Sequence, residues 1–135
     1  MQFFKLMKDG GPQSRVWGYF LAEIKSLCSV VLINFKNGSR DAFHSHAFNS
    51  ISWLIYGRLI EEVIDEKTKE LICMNVYNPS IVPIITKRST FHKVTSVGDS
   101  WLINFRGPWS STWKELTETR ERITLTSGRK VLSAA

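Results

Sequence analysis

The stretch GSRDAFHSHAFNSISWLIYG, residues 38–57, decides how the rest of the chain is read. It begins inside an Asn37-Gly38 turn signal, carries two histidines one residue apart, and runs into an apolar segment of β-branched and aromatic residues closed by Gly57. Alternate side chains of a strand point to one face, so His44 and His46 face the same way, with Ala42 and Arg40 continuing their row. Two imidazoles on one inward surface suit neighbouring ligands of a single metal. A third ligand from another strand would complete a facial set with positions left open for water or substrate. The remaining histidine, His92 in STFHKV, is the candidate for that place. Such ligands need an acceptor on the second ring nitrogen, and Ser50, Ser52, Asn49 and Ser96 are the candidates near in sequence. A pair spaced H-x-H is also compatible with two surface residues. The apolar frame favours the metal, because an imidazole buried without a partner is costly and coordination offsets that cost.

Outward from this stretch the chain reads as strand almost throughout. WGYFLAEI, LCSVVLINF, ISWLIYGRLIEEVI, LICMNVYN, SIVPIIT, FHKVTSV and SWLINF are short β-branched and aromatic runs, each closed by Gly, Asn, Asp, Pro or Ser. That pattern predicts an all-β sandwich or barrel. KNGS at 36–39 predicts a hairpin, and DEKTKE, YNPS and VGDS read as bends or turns. One short helix is expected near the C-terminus, in TWKELTETRER, where Thr112 and Glu115 fit a capping box. After it, ITLTSGRKVL reads as a terminal hairpin or strand and SAA as a frayed end. Trp101 is expected in the core, and Trp109 and Trp113 are expected in the core or over the mouth of the barrel. QFFKLM near the N-terminus offers an edge strand.

With 135 residues and 43% apolar composition, the chain has the size and content of one folded domain spanning residues 1–135. The 18 Lys and Arg against 12 Asp and Glu give a net charge of +6, which suits an anionic partner. The basic residues are scattered without interleaved aromatics, which argues against nucleic acid and leaves a small anionic molecule. No membrane or targeting segment is read, and Cys28 and Cys73 lie in apolar runs, so a cytoplasmic protein with two buried, reduced thiols is expected. A Gly-rich phosphate loop, a G-x-S-x-G elbow and zinc-knuckle cysteine spacing are all missing. Glu61, Glu62, Asp65 and Glu66 read as a solvated strand edge and bend rather than an acid and base pair.

The spacing Gly38, His44, His46, Ser50, Gly57 resembles the first motif of the cupin superfamily, in which the fourth position is glutamate, and His92 stands where the second motif has its histidine. The two motifs span about residues 38–105. The segments FHSHAF, TFHKV and FRGPW also resemble small cupin-like proteins carried by tailed bacteriophages and their hosts. Two departures stand out: Ser50 replaces the glutamate, and Lys87, Ser89 and Ser96 replace Pro, Gly and Asn. What the resemblance implies is a cupin-type β-barrel, that is, a double-stranded β-helix or jelly roll, commonly dimeric. It further implies a three-histidine site of His44, His46 and His92 for a divalent metal, with iron(II) first and zinc, manganese or nickel as alternatives. Three-histidine cupins include dioxygenases, so an oxidoreductase acting on a small anionic substrate is one expectation. Arg40 would grip the anion, Ser50 and Ser52 would line the pocket, and Tyr56, of the same parity, would donate a proton or hydrogen bond. The alternatives are a non-catalytic pocket that captures a nucleotide-like ligand, and a structural protein whose outer sheet forms an oligomer interface.

Overall fold

A computed structural model describes residues 2–8, 15–24, 26–39, 43–110, 112–116, 122–126 and 130–134. Its elements are strands. A six-stranded antiparallel sheet runs in the order β1 (Gln2–Lys8), β2 (Val16–Ile24), β3 (Cys28–Phe35), β10 (Ser100–Arg106), β5 (Ser50–Tyr56) and β8 (Ile84–Thr86). A four-stranded sheet runs β4 (Gly38–Ser39), β9 (Phe91–Ser96), β6 (Leu59–Ile64) and β7 (Leu71–Tyr77). A three-stranded sheet joins β11 (Thr112–Leu116), β12 (Arg122–Thr126) and β13 (Lys130–Ala134). From β3 to β10 the chain passes repeatedly between the first two sheets, the crossing pattern of a jelly roll. Among the described residues no helix is long and apolar enough to cross a membrane.

The inward faces follow the period-2 pattern. On β10 Ser100, Leu102, Asn104 and Arg106 are buried, while Trp101, Ile103 and Phe105 turn outward. Val16, Phe20, Val31, Ile33, Leu54 and Leu102 of the first sheet meet Leu59, Tyr77 and Val94 of the second to make the main core. A smaller cluster of Ile64, Phe91, Leu116 and Phe43 ties β11 to the second sheet. Gly57 separates β5 from β6 at φ +95°, and a Cβ there would lie 2.7 Å from the Asp99 carbonyl oxygen, so a side chain is excluded twice over.

Several sequence expectations are corrected. Asn37-Gly38 does not close a hairpin onto β3. Gly38, at φ +113°, turns the chain into the second sheet, where β4 pairs with Ser96 and Thr95 of β9. Asn37 instead joins two corners: its N–H donates to Asp99 Oδ1 at 3.2 Å, and its Oδ1 accepts from Gly98 N at 3.0 Å. The expected helix is replaced over 112–116 by β11, and residues 117–121 lie outside the described residues. Pairing won over the capping box, because Ser45 N donates to Lys114 O and Leu116 N to Phe43 O, both at 2.8 Å, while Leu116 is buried. The terminal hairpin is present as β12 and β13, and Ser133 and Ala134, expected to fray, belong to β13. Both cysteines are exposed rather than buried, Cys28 at the first position of β3 and Cys73 on the edge strand β7. Trp101 lies outside the core on the outer face, tilted against Tyr19 at 5.7 Å, because its parity on β10 is outward.

Candidate metal centre

The three histidines converge through backbone pairing. His44 N donates to His92 O at 2.8 Å and His92 N to His44 O at 2.9 Å, so residue 44 lies directly beside β9 although it belongs to no regular strand. His46 follows two residues later. The ring centroids lie 4.7 Å apart for His44 and His46, 4.9 Å for His44 and His92, and 5.1 Å for His46 and His92. One nitrogen from each ring falls within 4.8 Å of the other two. His44 and His92 are buried, and His46 is half-buried.

Glu61 on β6 determines which His92 nitrogen is available. Its Oε2 lies 2.6 Å from His92 Nδ1, so the Nδ1–H donates to the carboxylate and Nε2 is left with its lone pair. Oε1 accepts from Tyr77 OH at 2.9 Å and from Asn75 Nδ2 at 3.0 Å. Burial pushes the Glu61 carboxyl up, but the hydrogen bonds from His92, Asn75 and Tyr77 outweigh it and hold the group below the usual glutamate value. Burial, reinforced by the Glu61 charge, raises the Tyr77 hydroxyl far above its ordinary value, so it stays a donor. The solvated-edge reading is therefore corrected for Glu61, which is 6% exposed.

The donor set fits a divalent ion. His46 Nε2 and His92 Nε2 face each other at 2.9 Å. Metal–nitrogen bonds of about 2.0–2.1 Å from each ring would span that gap. Neutral imidazole suits iron, zinc, copper and nickel, and a carboxylate bonded to a ligating ring raises its basicity. A second carboxylate is close in register: Glu115 of β11 is the cross-strand partner of His44, and both are buried.

The cluster opens on a cavity of about 80 Å³. Val16, Ile33, Phe35, Leu59, Ile84 and Leu102 form its apolar wall, while Ser50, Ser52, Glu61, Tyr77, Thr86, Asn104 and Arg106 add polar groups. Ser50 and Ser52 thus line the pocket with the histidines, and Tyr56 does not. A bulge explains the difference: Leu102 pairs with Leu54 but Trp101 with Tyr56, so Ile55 is the extra residue and parity reverses at the end of β5. Tyr56 turns outward with Trp101 and is 64% exposed. Arg40 lies outside the described residues. Of the acceptors expected for the second ring nitrogen, Asn49 Oδ1 accepts from Arg88 N at 2.6 Å, and Ser96 Oγ bonds Gly98 O and Ser100 Oγ; Glu61 serves His92 instead. Trp109 and Trp113 pack against each other, and Trp109 against Phe48, whose ring lines the pocket.

Glu61, Tyr77, Arg106 and Glu115 were missed in the sequence. Glu61 and Arg106 had a local signal, since each shares the parity of a buried leucine, Leu59 in LIEEVI and Leu102 in SWLINFR.

No family model matches the chain, and no curated protein matches it in sequence. Solved structures do resemble it. The iron(II) form of HppE in complex with substrate superposes with a TM-score of 0.60 at 14% identity, covering 76% of this chain and 55% of that one. An RmlC-like cupin from Shewanella frigidimarina gives 0.56 at 16% identity, covering 78% and 84% of the two chains. KdgF from a Halomonas species gives 0.56 at 16% identity, covering 80% and 94%. The protein spans only about half the length of HppE. At these identities the likeness establishes the fold, an all-β structure of the cupin jelly-roll type.

Proposed function

We propose that this protein, as one domain over residues 1–135, is a metal-binding cupin in which His44, His46 and His92 hold one divalent ion. Iron(II) is the first assignment, with zinc, manganese and nickel as alternatives. The observation that carries the reading is the convergence of three imidazole nitrogens within 4.8 Å at the floor of a pocket. Bound there, such an ion would supply Lewis acidity and open coordination positions, which suits dioxygenase-like oxidoreductase chemistry on a small anionic substrate. The chain's own residues have distinct tasks. Glu61 holds His92 as a lone-pair donor and brings negative charge that a set of three neutral imidazoles lacks. Tyr77 and Asn75 keep Glu61 in place, and apolar side chains form one wall of the pocket. HppE, an iron(II) protein of the same fold, lends support by analogy.

The test is elemental analysis of untagged protein purified without chelators, beside His44→Ala and His92→Ala. Near-stoichiometric metal in the wild type that is lost from both variants is expected. A wild type that takes up no metal after anaerobic reconstitution with iron, zinc, manganese and nickel overturns the reading.

A second reading, capture of a small ligand without turnover, is supported by the bond that Tyr77 OH donates to the Glu61 carboxylate, which leaves the tyrosine proton engaged. A phage-borne protein that sequesters a nucleotide-like molecule would be of this kind, although a cavity of about 80 Å³ suits a more compact ligand. Mass spectrometry of the ligand after prolonged incubation with metal-loaded protein separates the readings: recovery of altered ligand removes this one. A cytoplasmic setting is supported by two exposed free thiols. A homodimer is supported by Ile51, Ile55, Ile85 and Phe105, exposed on the outer face of β5, β8 and β10. Light scattering that reports a monomer at high concentration would remove the dimer.

A further inference from the structure

A buried carboxylate to which the proposed function gives no task lies beside one of the three histidines. Glu115, on β11, is 6% exposed. Leu116 N donates to Phe43 O and Ser45 N to Lys114 O, each at 2.8 Å, so two bonds bracket the facing residues His44 and Glu115 without joining them. In such a narrow antiparallel pair the Cα atoms stand about 4.5 Å apart, closer than in a hydrogen-bonded pair. Both side chains then lie on one face of the sheet, near enough to interact. On its other side His44 exchanges its N–H and C=O bonds with His92. The row His92, His44, Glu115 thus runs from β9 to β11 with three buried side chains on one face.

Within that row Glu115 stands behind His44 rather than in the pocket. His44 lines the cavity and Glu115 does not. Among the described residues, the ligand atoms that gather within 4.8 Å of one another belong to the three histidines, and no Glu115 oxygen joins them. A carboxylate buried this deeply needs a hydrogen-bond donor or a cation. A metal-ligating imidazole has one N–H to give, on the nitrogen turned away from the ion. Glu61 takes that place for His92, with Oε2 at 2.6 Å from Nδ1.

We infer that Glu115 is the positioning residue of His44: its carboxylate accepts the ring N–H of His44, fixes which nitrogen faces the ion, and ties the metal centre to β11. The inference rests on the metal-binding reading. Glu61 from β6 and Glu115 from β11 then stand behind the two buried histidines, one each, and raise the basicity of both ligands. His46, half-buried, has its ring packed on Phe48 at 5.0 Å. The coupling is reciprocal: an ion that holds the His44 ring also holds β11 against the segment 43–45.

The test uses zinc-loaded protein with nitrogen-labelled histidine rings, read by ring-nitrogen NMR, beside zinc affinity from chelator competition. In the wild type the His44 ring shows one metal-bound nitrogen and one protonated nitrogen whose proton exchanges slowly with water, as His92 does. In Glu115→Gln the His44 ring proton moves upfield and exchanges faster, the His92 ring is unchanged, and zinc affinity falls about 10–100-fold. Glu61→Gln does the reverse, moving the His92 ring and leaving that of His44. Lys114→Met is the control for a purely structural role of β11, because it breaks the ion pair of Lys114 with Glu66 on the same strand and keeps Glu115. It lowers the melting temperature slightly and leaves the His44 ring signal and zinc affinity as they were. A His44 ring unmoved by Glu115→Gln, or moved as far by Lys114→Met, overturns the positioning role and leaves the metal reading standing. Should Glu115→Gln fail to fold, the wild type decides alone: a His44 ring proton in fast exchange with water overturns the role. Failure of the wild type to load zinc sinks the metal reading itself.

Discussion

The inward surface of β5 and β10 changes character along its length. At one end Leu54 and Leu102 meet Val31, Leu59 and Val94 in an apolar contact. At the other end Ser50, Ser52, Asn104 and Arg106 face the histidines and Glu61. The apolar end depends on shape and burial and has no chemistry to offer. The polar end depends on hydrogen bonds, since each buried donor or acceptor left unmade there costs more than a lost methyl contact. Stability and reactivity are thus separated by a few residues on the same strands, and variants at the two ends should fail in different ways.

Leu54→Ala should produce the largest effect on stability, about 2–5 kcal/mol, measured by chemical denaturation, with metal affinity per folded molecule unchanged. A parallel loss of metal affinity would show that the two ends are not independent. At the polar end Glu61→Gln keeps the size of the side chain but removes its charge. Metal affinity should fall about 10–100-fold, read by chelator competition, with a smaller loss of thermal stability than Leu54→Ala. Tyr77→Phe removes one of the donors to Glu61 and should weaken metal binding less than Glu61→Gln does, in the same assay. Glu115→Gln sharpens the comparison further. A loss of metal affinity without a matching fall in melting temperature would extend the polar end onto β11, and an unchanged affinity would confine it to β6 and β9.

The smallest effect is expected far from both ends, at Asp65. Its carboxylate accepts from Thr68 N and Lys67 N, each at 2.8 Å, and these bonds hold it below the ordinary aspartate value. A group depressed in the folded state stabilises above its unfolded value of about 3.9 and loses that contribution as pH falls through the folded one. Asp65→Ala should therefore lower the melting temperature slightly at pH 7, and the difference should disappear near pH 2. A difference that persists at pH 2 would mean that the turn matters for some reason other than charge.

Most of the strands could be read from runs such as LCSVVLINF and SWLINF, because period-2 patterning and terminal Gly, Asn or Asp are local properties. The same holds for the pairing of His44 with His46. Their proximity follows from a spacing of two residues, and the cost of burying an imidazole gave reason to look for a third. Gly57 was legible too, as a stop whose positive φ only glycine adopts freely.

What the sequence determined by itself was therefore an all-β chain and a set of three histidines. Tertiary structure decided the rest. The Asn37-Gly38 signal was diverted by pairing of β4 with β9, the capping box at Thr112 and Glu115 gave way to pairing of β11 with residues 43–45, and one extra residue at Ile55 turned Tyr56 out of the pocket. Glu61, Tyr77 and Arg106 entered the site from strands whose local pattern is that of ordinary sheet. The physical reason is common to all of these. Turn, cap and strand parity are biases of at most a few kcal/mol set by nearby residues. Cross-strand partners lie tens of residues away, and only the assembled sheets determine which side chains share a face.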